Sequence, residues 1–319
     1  MSDSKRLRTE EANSGTTATR ISEGWLMGPS HIILTTGIVG YHLLALLALF
    51  PYFFSWTGVV LAALGYLLAL PGINLCYHRL LAHRGLSCSK RVEHALALLG
   101  VMTSQFGPAY WVAVHRRHHH RVDDRGDPHS PRAGFFWAHM GWLFVASDNS
   151  DPRLVMEQYA KDLLNDPFYA KLERGGAWSR LALYSLVLYF SVGAVTAVLT
   201  GGTAAEAVQF GSSLVVWGVA VRIVWVWHVT MSVNSVTHTW GYRTHATPDD
   251  SRNNPIIGIL AFGEGWHNNH HAFPRSARHG HRWWELDLTW VIIKGLSWIG
   301  MVKILDVTVP GAIRSNSQA

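Results

Sequence analysis

The sequence predicts an all-α integral membrane protein in which four transmembrane helices support a helical cytoplasmic cap. Three observations predict it. Only 15% of the 319 residues are Asp, Glu, Lys or Arg, against about 25% in a typical soluble domain. The missing charges leave two long apolar blocks: His31 to His78 holds no Asp, Glu, Lys or Arg, and Leu181 to Val221 holds only Glu206. A membrane-crossing helix needs about 20 apolar residues, so each block is long enough to cross twice. Finally, the histidines crowd into the segments that follow those blocks, in "HRRHHH" (115–120) and "HNNHH" (267–271) among others.

Taken in chain order, residues 1–29 are polar, Ser/Thr-rich and of mixed charge. They lack the apolar stretch of a signal peptide and read as a disordered tail. The body runs over 30–305, and 306–319 form a C-terminal tail. Spans are expected near 31–50, 57–77, 178–199 and 208–233, the pairs separated at "FPYFFSWTG" and "LTGGTAAEA". Neither connection contains Lys or Arg, whereas His78 to Arg180 holds 14 Lys/Arg against 10 Asp/Glu. Positive residues stay on the cytoplasmic side, so both hairpins enter from the cytoplasm and both termini lie there. The shorter apolar stretches 92–102, 134–144 and 290–305 are expected to be helices along the membrane surface or under the cap. Cys76 and Cys88 make no disulfide framework. The net charge of +6 comes without basic residues interleaved with base-stacking aromatics, so it marks loops facing anionic lipid rather than a nucleic-acid surface.

An even number of crossings separates His78, His83, His115, His118 and His119 from His238, His267, His270 and His271, so the two groups share one membrane face. Neutral imidazole is the commonest metal-ligating side chain, and positions i, i+3 and i+4 of a helix lie on one face. His115/118/119 and His267/270/271 therefore form two ridges, each able to bridge two metals. His78 and His83 are spaced i, i+5, about 140° apart on a regular helix. Either the helix is distorted there or each serves a different metal. All-imidazole sites suit zinc, iron, copper or nickel. Nine ligands shared by two ions leave room for a small exogenous ligand, which favours a redox pair such as iron.

At "HRLLAHR" (78–84), "HRRHH" (115–119), "DPHSP" (127–131), "NSVTH" (234–238) and "GEGWHNNHHAF" (263–273), the chain resembles the membrane-bound fatty-acyl desaturases, in their stearoyl-CoA-desaturase-like, delta-9-type branch. The resemblance covers residues 30 to 305. It implies two ferrous ions held by His78, His83, His115, His118, His119, His238, His267, His270 and His271, with Asn234 acting through a metal-bound water. His120 extends the second box to a run of three and leaves another register open. Asp123, Asp127 and Glu264 are candidates to fix imidazole tautomers, or else solvated loop charges. Trp111, one turn before His115, is a candidate lining of an acyl tunnel or an interfacial anchor. Arg116, Arg117, Arg121, Arg275 and Arg278 suit either acyl-CoA phosphates or the positive-inside rule. His31, His42, His94 and His139 read as isolated, and His129, His279 and His281 as meeting solvent, phosphate or neighbouring side chains.

The implied reaction is oxygen-dependent insertion of a cis double bond, by default between carbons 9 and 10, into a saturated fatty-acyl chain carried by CoA or a lipid. No haem, dinucleotide or iron–sulfur motif occurs in the sequence, so a separate electron donor, cytochrome b5 or a ferredoxin, is implied. The endoplasmic reticulum, a plastid and a bacterial plasma membrane all satisfy these features. Related membrane di-iron hydroxylases and ketolases use similar histidines, but the pairing of "NSVTH" with "GEGWHNNHHAF" distinguishes this chain. A metal transporter would place ligands within the spans, whereas these boxes lie at or beyond the cytoplasmic span ends.

Overall fold

A computed structural model describes residues 31–145 and 151–308. The tail expected over 1–29 and most of that expected over 306–319 lie outside the described residues. The helices are α1 (His31–Leu46), α2 (Trp56–Pro71), α3 (Lys90–Val101), α4 (Pro108–Arg121), α5 (Phe135–His139), α6 (Pro152–Tyr159), α7 (Lys161–Leu164), α8 (Pro167–Glu173), α9 (Ala177–Leu199), α10 (Ala204–Val215), α11 (Arg222–Ser235), α12 (Pro255–Leu260), α13 (His267–Ala272) and α14 (Leu288–Trp298). The long continuous segments Trp56–Ala82, Pro167–Leu199 and Ala204–His238 are apolar and long enough to cross a membrane. They contain the second, third and fourth expected spans. The first expected span falls on α1, whose 16 residues measure about 24 Å at 1.5 Å per residue, short of the roughly 30 Å hydrocarbon core. The outward faces carry exposed Leu64, Leu68, Val187, Leu188 and Val195, side chains that suit lipid and not water.

The helix of α2 does not end at Pro71. A proline has no N–H to continue the i→i−4 ladder, and beyond it the chain widens into a π-helix, Gly72–Ala82, all of it buried. Gly72 sits where this segment crosses α3: a Cβ there would fall 2.2 Å from the Gly100 nitrogen. A second π segment, Val216–Val221, joins α10 to α11, and a 3-10 turn, Val236–His238, ends that span.

Three short apolar stretches were expected as surface or cap helices. The first is α3. The second is broken at Met140 into α5 and a 3-10 turn, Gly141–Leu143. The third departs from the expectation of one helix over 290–305. It ends at Trp298, turns at Gly300 with φ +74°, and leaves as strand β2 (Val302–Ile304), antiparallel to β1 (Leu86–Cys88) with Ser87 opposite Lys303. This two-stranded ribbon ties the segment after His83 to the far end of the chain. Beneath it, Leu75, Cys76, Tyr77, Leu80 and Leu81 pack with Ala109, Val112, Ala113 and Ile293. That cluster locks the π-helix to α4 and α14, the elements that carry or flank the histidines.

Candidate metal centre

The nine histidines converge in two groups. The ring nitrogens of His78, His83, His115, His119 and His270 lie within 4.8 Å of one another, as do those of His118, His238, His267 and His271. In the first group Nε2 of His78 stands 3.1 Å and Nε2 of His119 2.9 Å from Nε2 of His270, and His83 and His115 approach to 2.8 Å. In the second, Nε2 of His267 lies 3.1 Å from that of His238 and 3.0 Å from that of His271. Each H-x-x-H-H box contributes to both groups. α4 sends His115 and His119 one way and His118 the other; α13 sends His270 to the first group and His267 and His271 to the second. His120 is turned out of both, towards the ring of Tyr159.

The i, i+5 pair resolves through the backbone. In the π segment the His83 amide donates to the His78 carbonyl at 3.1 Å, an i→i+5 bond that stacks the two residues instead of splaying them. His78 and His83 therefore belong to the same group, and the reading that gives each to a different metal does not hold.

Buried carboxylates turn the other ring nitrogens outward. His78 Nδ1 meets Glu264 at 2.7 Å, His118 Nδ1 meets Asp127 at 2.9 Å, His238 Nδ1 lies 3.5 Å from Asp123, and His271 Nδ1 lies 3.0 Å from Asp249. All three carboxylates expected from the sequence face ring nitrogens; Asp249 is a fourth. Asp123 holds a left-handed backbone, φ +59°, a conformation uncommon outside glycine and tolerated at functional sites. Burial pushes the Asp127 and Asp249 carboxyls up, but the charge and hydrogen bonds of the facing imidazoles outweigh it and hold both below the usual range. Glu264 is held well below its ordinary value against the same burial, by Arg79 first and then His279 and His78. All three carboxyls are ionised at neutral pH.

The imidazoles are lowered too, but by burial itself. Burial, reinforced by neighbouring rings, takes His83, His115, His119, His267 and His270 well below the ordinary imidazole value. Burial takes His271 down to about 4 despite Asp249. With Nδ1 of His78, His118 and His271 turned to carboxylates, the Nε2 atoms of the rings face one another across about 3 Å. His118 Nε2 is buried with no hydrogen-bond partner at all. Ring nitrogens converging in this way fit metal ions of the kind imidazole binds.

The two asparagines inside "HNNHH" face away from the two histidine groups and clamp the box. Asn268 Oδ1 accepts from the Thr244 and His245 amides, while Asn269 donates to the His279 carbonyl and to Glu285. Below Glu264, Arg79 binds both Glu264 and Asp287 at 2.8–3.1 Å, with Arg79 itself 1% exposed. His279, expected to meet solvent or neighbours, is buried and lies 3.2 Å from Glu264. His129 is also buried, its ring 4.5 Å from that of His118. His42 and His139 are not isolated: both bond His228, at 3.1 and 2.9 Å. His94 pairs with Asp166.

A cavity of about 460 Å³ opens beneath the two groups, lined by apolar residues of α1, α9 and α11 and reaching His115 and Asn234. Trp111 lines it and stacks on His115, ring centroids 5.1 Å apart. Across it Gln105 Nε2 donates to Thr230 Oγ1 at 3.1 Å, a pinch that nothing in the local sequence announces. Of the arginines singled out in the sequence, Arg116 is committed to the protein's own groups. Arg116 binds the Leu81, Ala82 and Tyr159 carbonyls and both oxygens of Asp162, and is a brace.

Residues 54–297 match the family model for fatty acid desaturases. The chain belongs to the fatty acid desaturase family. It is 42% identical over 276 residues to an sn-1 stearoyl-lipid 9-desaturase of Anabaena variabilis, covering 85% of this chain and 93% of that one. A Synechocystis protein of the same description is 41% identical, covering 84% and 77%. An icosanoyl-CoA 5-desaturase of Limnanthes douglasii is 40% identical, covering 81% and 67%. This desaturase is thus an oxidoreductase acting on acyl chains, membrane-associated through its apolar helices.

Proposed function

We propose that this desaturase is a di-iron enzyme that inserts a cis double bond between carbons 9 and 10 of a saturated chain esterified to a lipid or to CoA. The single observation that carries the reading is the 5 + 4 division of nine inward-facing imidazoles at one end of an apolar cavity. One ferrous ion would sit among His78, His83, His115, His119 and His270. The other would sit among His118, His238, His267 and His271, with Asn234, on the cavity wall one turn before His238, reaching it through a water. The bound iron pair supplies the oxidising power, drawn from O2 and two electrons, for hydrogen removal from an unactivated methylene. The balance is –CH2–CH2– + O2 + 2 e⁻ + 2 H⁺ giving –CH=CH– + 2 H2O, and a separate cytochrome b5 or ferredoxin delivers the electrons.

The protein's own groups do the rest. Asp123, Asp127, Asp249 and Glu264 fix the ring tautomers, Trp111 and the Gln105–Thr230 pair shape the cavity at the level of the metals, and the apolar walls exclude water. α1 serves as a fourth span, which puts both termini and the metal centre on the cytoplasmic face. Gas chromatography–mass spectrometry of fatty acids from a desaturase-deficient host tests the reading, with double bonds located by derivatisation and His270→Ala run beside it. A new monoene in the wild type alone is expected. Hydroxy acids would transfer the protein to the membrane hydroxylases, and no product with iron and both donors supplied would remove the enzymatic claim.

A further inference from the structure

The cavity is not a closed tube. Its residues on α1 run from Leu34 to Leu44, about 15 Å along the helix, and those on α9 reach Leu186. Three of the residues that line it are also exposed on the outer surface: Gly37 and Gly40 on α1, and Leu183 on α9, the last 57% exposed. A side chain added at Gly37 or Gly40 would meet nothing within 4 Å, so open space lies against both. The deep wall, by contrast, is buried, with Leu143, Trp227 and Met231 at 5–7% exposure. Among the described residues the cavity therefore has an opening sideways between α1 and α9, within the apolar belt.

We propose that this slit is a lateral portal through which the acyl chain of a membrane glycerolipid enters the cavity directly from the bilayer, so that the carrier is a glycerolipid and not CoA. The inference rests on the desaturase reading and deepens it. A chain already seated in the bilayer would otherwise have to be withdrawn through water to thread a mouth at the cap. Each methylene exposed in that way lowers the population about fourfold, so a dozen lower it by a factor on the order of 10⁷. A side opening removes that barrier, because the chain exchanges lipid contacts for Leu, Ile and Trp contacts without meeting water. A soluble CoA thioester has no need of such an opening.

The test uses the full-length protein in phosphatidylcholine vesicles and two photoreactive probes. One is phosphatidylcholine with a diazirine in mid-stearoyl chain; the other is stearoyl-CoA bearing the same group, added from outside. Peptide mapping should find the lipid probe attached to the buried wall residues Trp227 and Met231 as well as to outer-face residues such as Leu188. Gly37→Phe with Gly40→Phe should abolish the wall label and keep the outer-face label, which also shows that the variant is folded in the bilayer. Wall labelling by the CoA probe and not the lipid probe overturns the portal. So does wall labelling by neither, the outcome if the chain itself covers the slit. Turnover with iron and reductant keeps the two readings apart. Lipid labelling of the wall with no monoene from either carrier sinks the desaturase reading alone, while monoene from stearoyl-CoA without lipid labelling sinks the portal alone.

Discussion

The two halves of the metal cradle are built on different principles. Among the described residues the five-histidine half has a single carboxylate, Glu264, and that carboxylate is shared with Arg79 and His279. Its geometry comes from the backbone: a π-helix stacks His78 under His83, and Arg116 staples the end of that helix to α4 and Asp162. The four-histidine half has no such backbone device. Its histidines come from α4, a 3-10 turn and α13, and three of them face carboxylates of their own, Asp127, Asp123 and Asp249. Scaffold rigidity substitutes for charge in one half and charge for rigidity in the other. With three carboxylates behind its rings, the four-histidine half would better neutralise a divalent ion held there.

The largest effects should come from the ligands, and they should be unequal. His271→Ala leaves three imidazoles in its half and should lower iron to one per chain, whereas His83→Ala leaves four and should retain most of the second iron. Both should abolish monoene formation. Iron analysis of the purified variants checks this, and equal iron loss from both would erase the distinction between the halves.

Carboxylate changes come next. Asp127→Asn or Asp249→Asn should weaken metal binding about 10–100-fold at the four-histidine half alone, read by chelator competition. Glu264→Gln should instead destabilise the whole protein, by about 3–5 kcal/mol, since it leaves Arg79 buried with half its charge partners. Thermal unfolding of the metal-free proteins separates the two kinds of effect.

The brace is expected to matter least. Burial pushes the Asp162 carboxyl up, but hydrogen bonds from Arg116 and Arg84 outweigh it and bring it from 3.8 down to about 2. A carboxyl with a lowered folded pKa stabilises above its ordinary value and loses that contribution as pH falls from about 4 to about 2. Asp162 is 40% exposed, so solvent screening limits its worth to about 1 kcal/mol or less. Asp162→Asn should therefore lower the unfolding temperature slightly at pH 7, with the difference from wild type shrinking as pH approaches 3. A difference that grew on acidification would contradict the assignment.

The two halves were also unequally legible in the sequence. The doubled H-x-x-H-H spacing disclosed both ridges, because i, i+3, i+4 periodicity is a local property, and "DPHSP" and "GEGW" kept Asp127 and Glu264 beside their boxes. Asp249 was not legible: it lies 22 residues before His271 in an irregular loop, which Asn268 and Asn253 help to hold against α13. The π-helix left a partial signal, the i, i+5 spacing with Pro71 upstream, which posed two alternatives that only the backbone hydrogen bond could decide. His42 and His139 looked solitary because His228, which meets both, lies on a third element. The strand at Val302–Ile304 was hidden in an apolar run, where Gly300 was the one mark of its turn. The division of ligands was beyond sequence altogether, since it depends on how α4, α13 and two span ends are set against each other.

The most direct measurement is an anomalous difference map at the iron edge from crystals of the iron-loaded protein. Two peaks are predicted, one among His78, His83, His115, His119 and His270 and the other among His118, His238, His267 and His271. A single peak, or one displaced to His78, Glu264 and His279, would contradict the di-iron account.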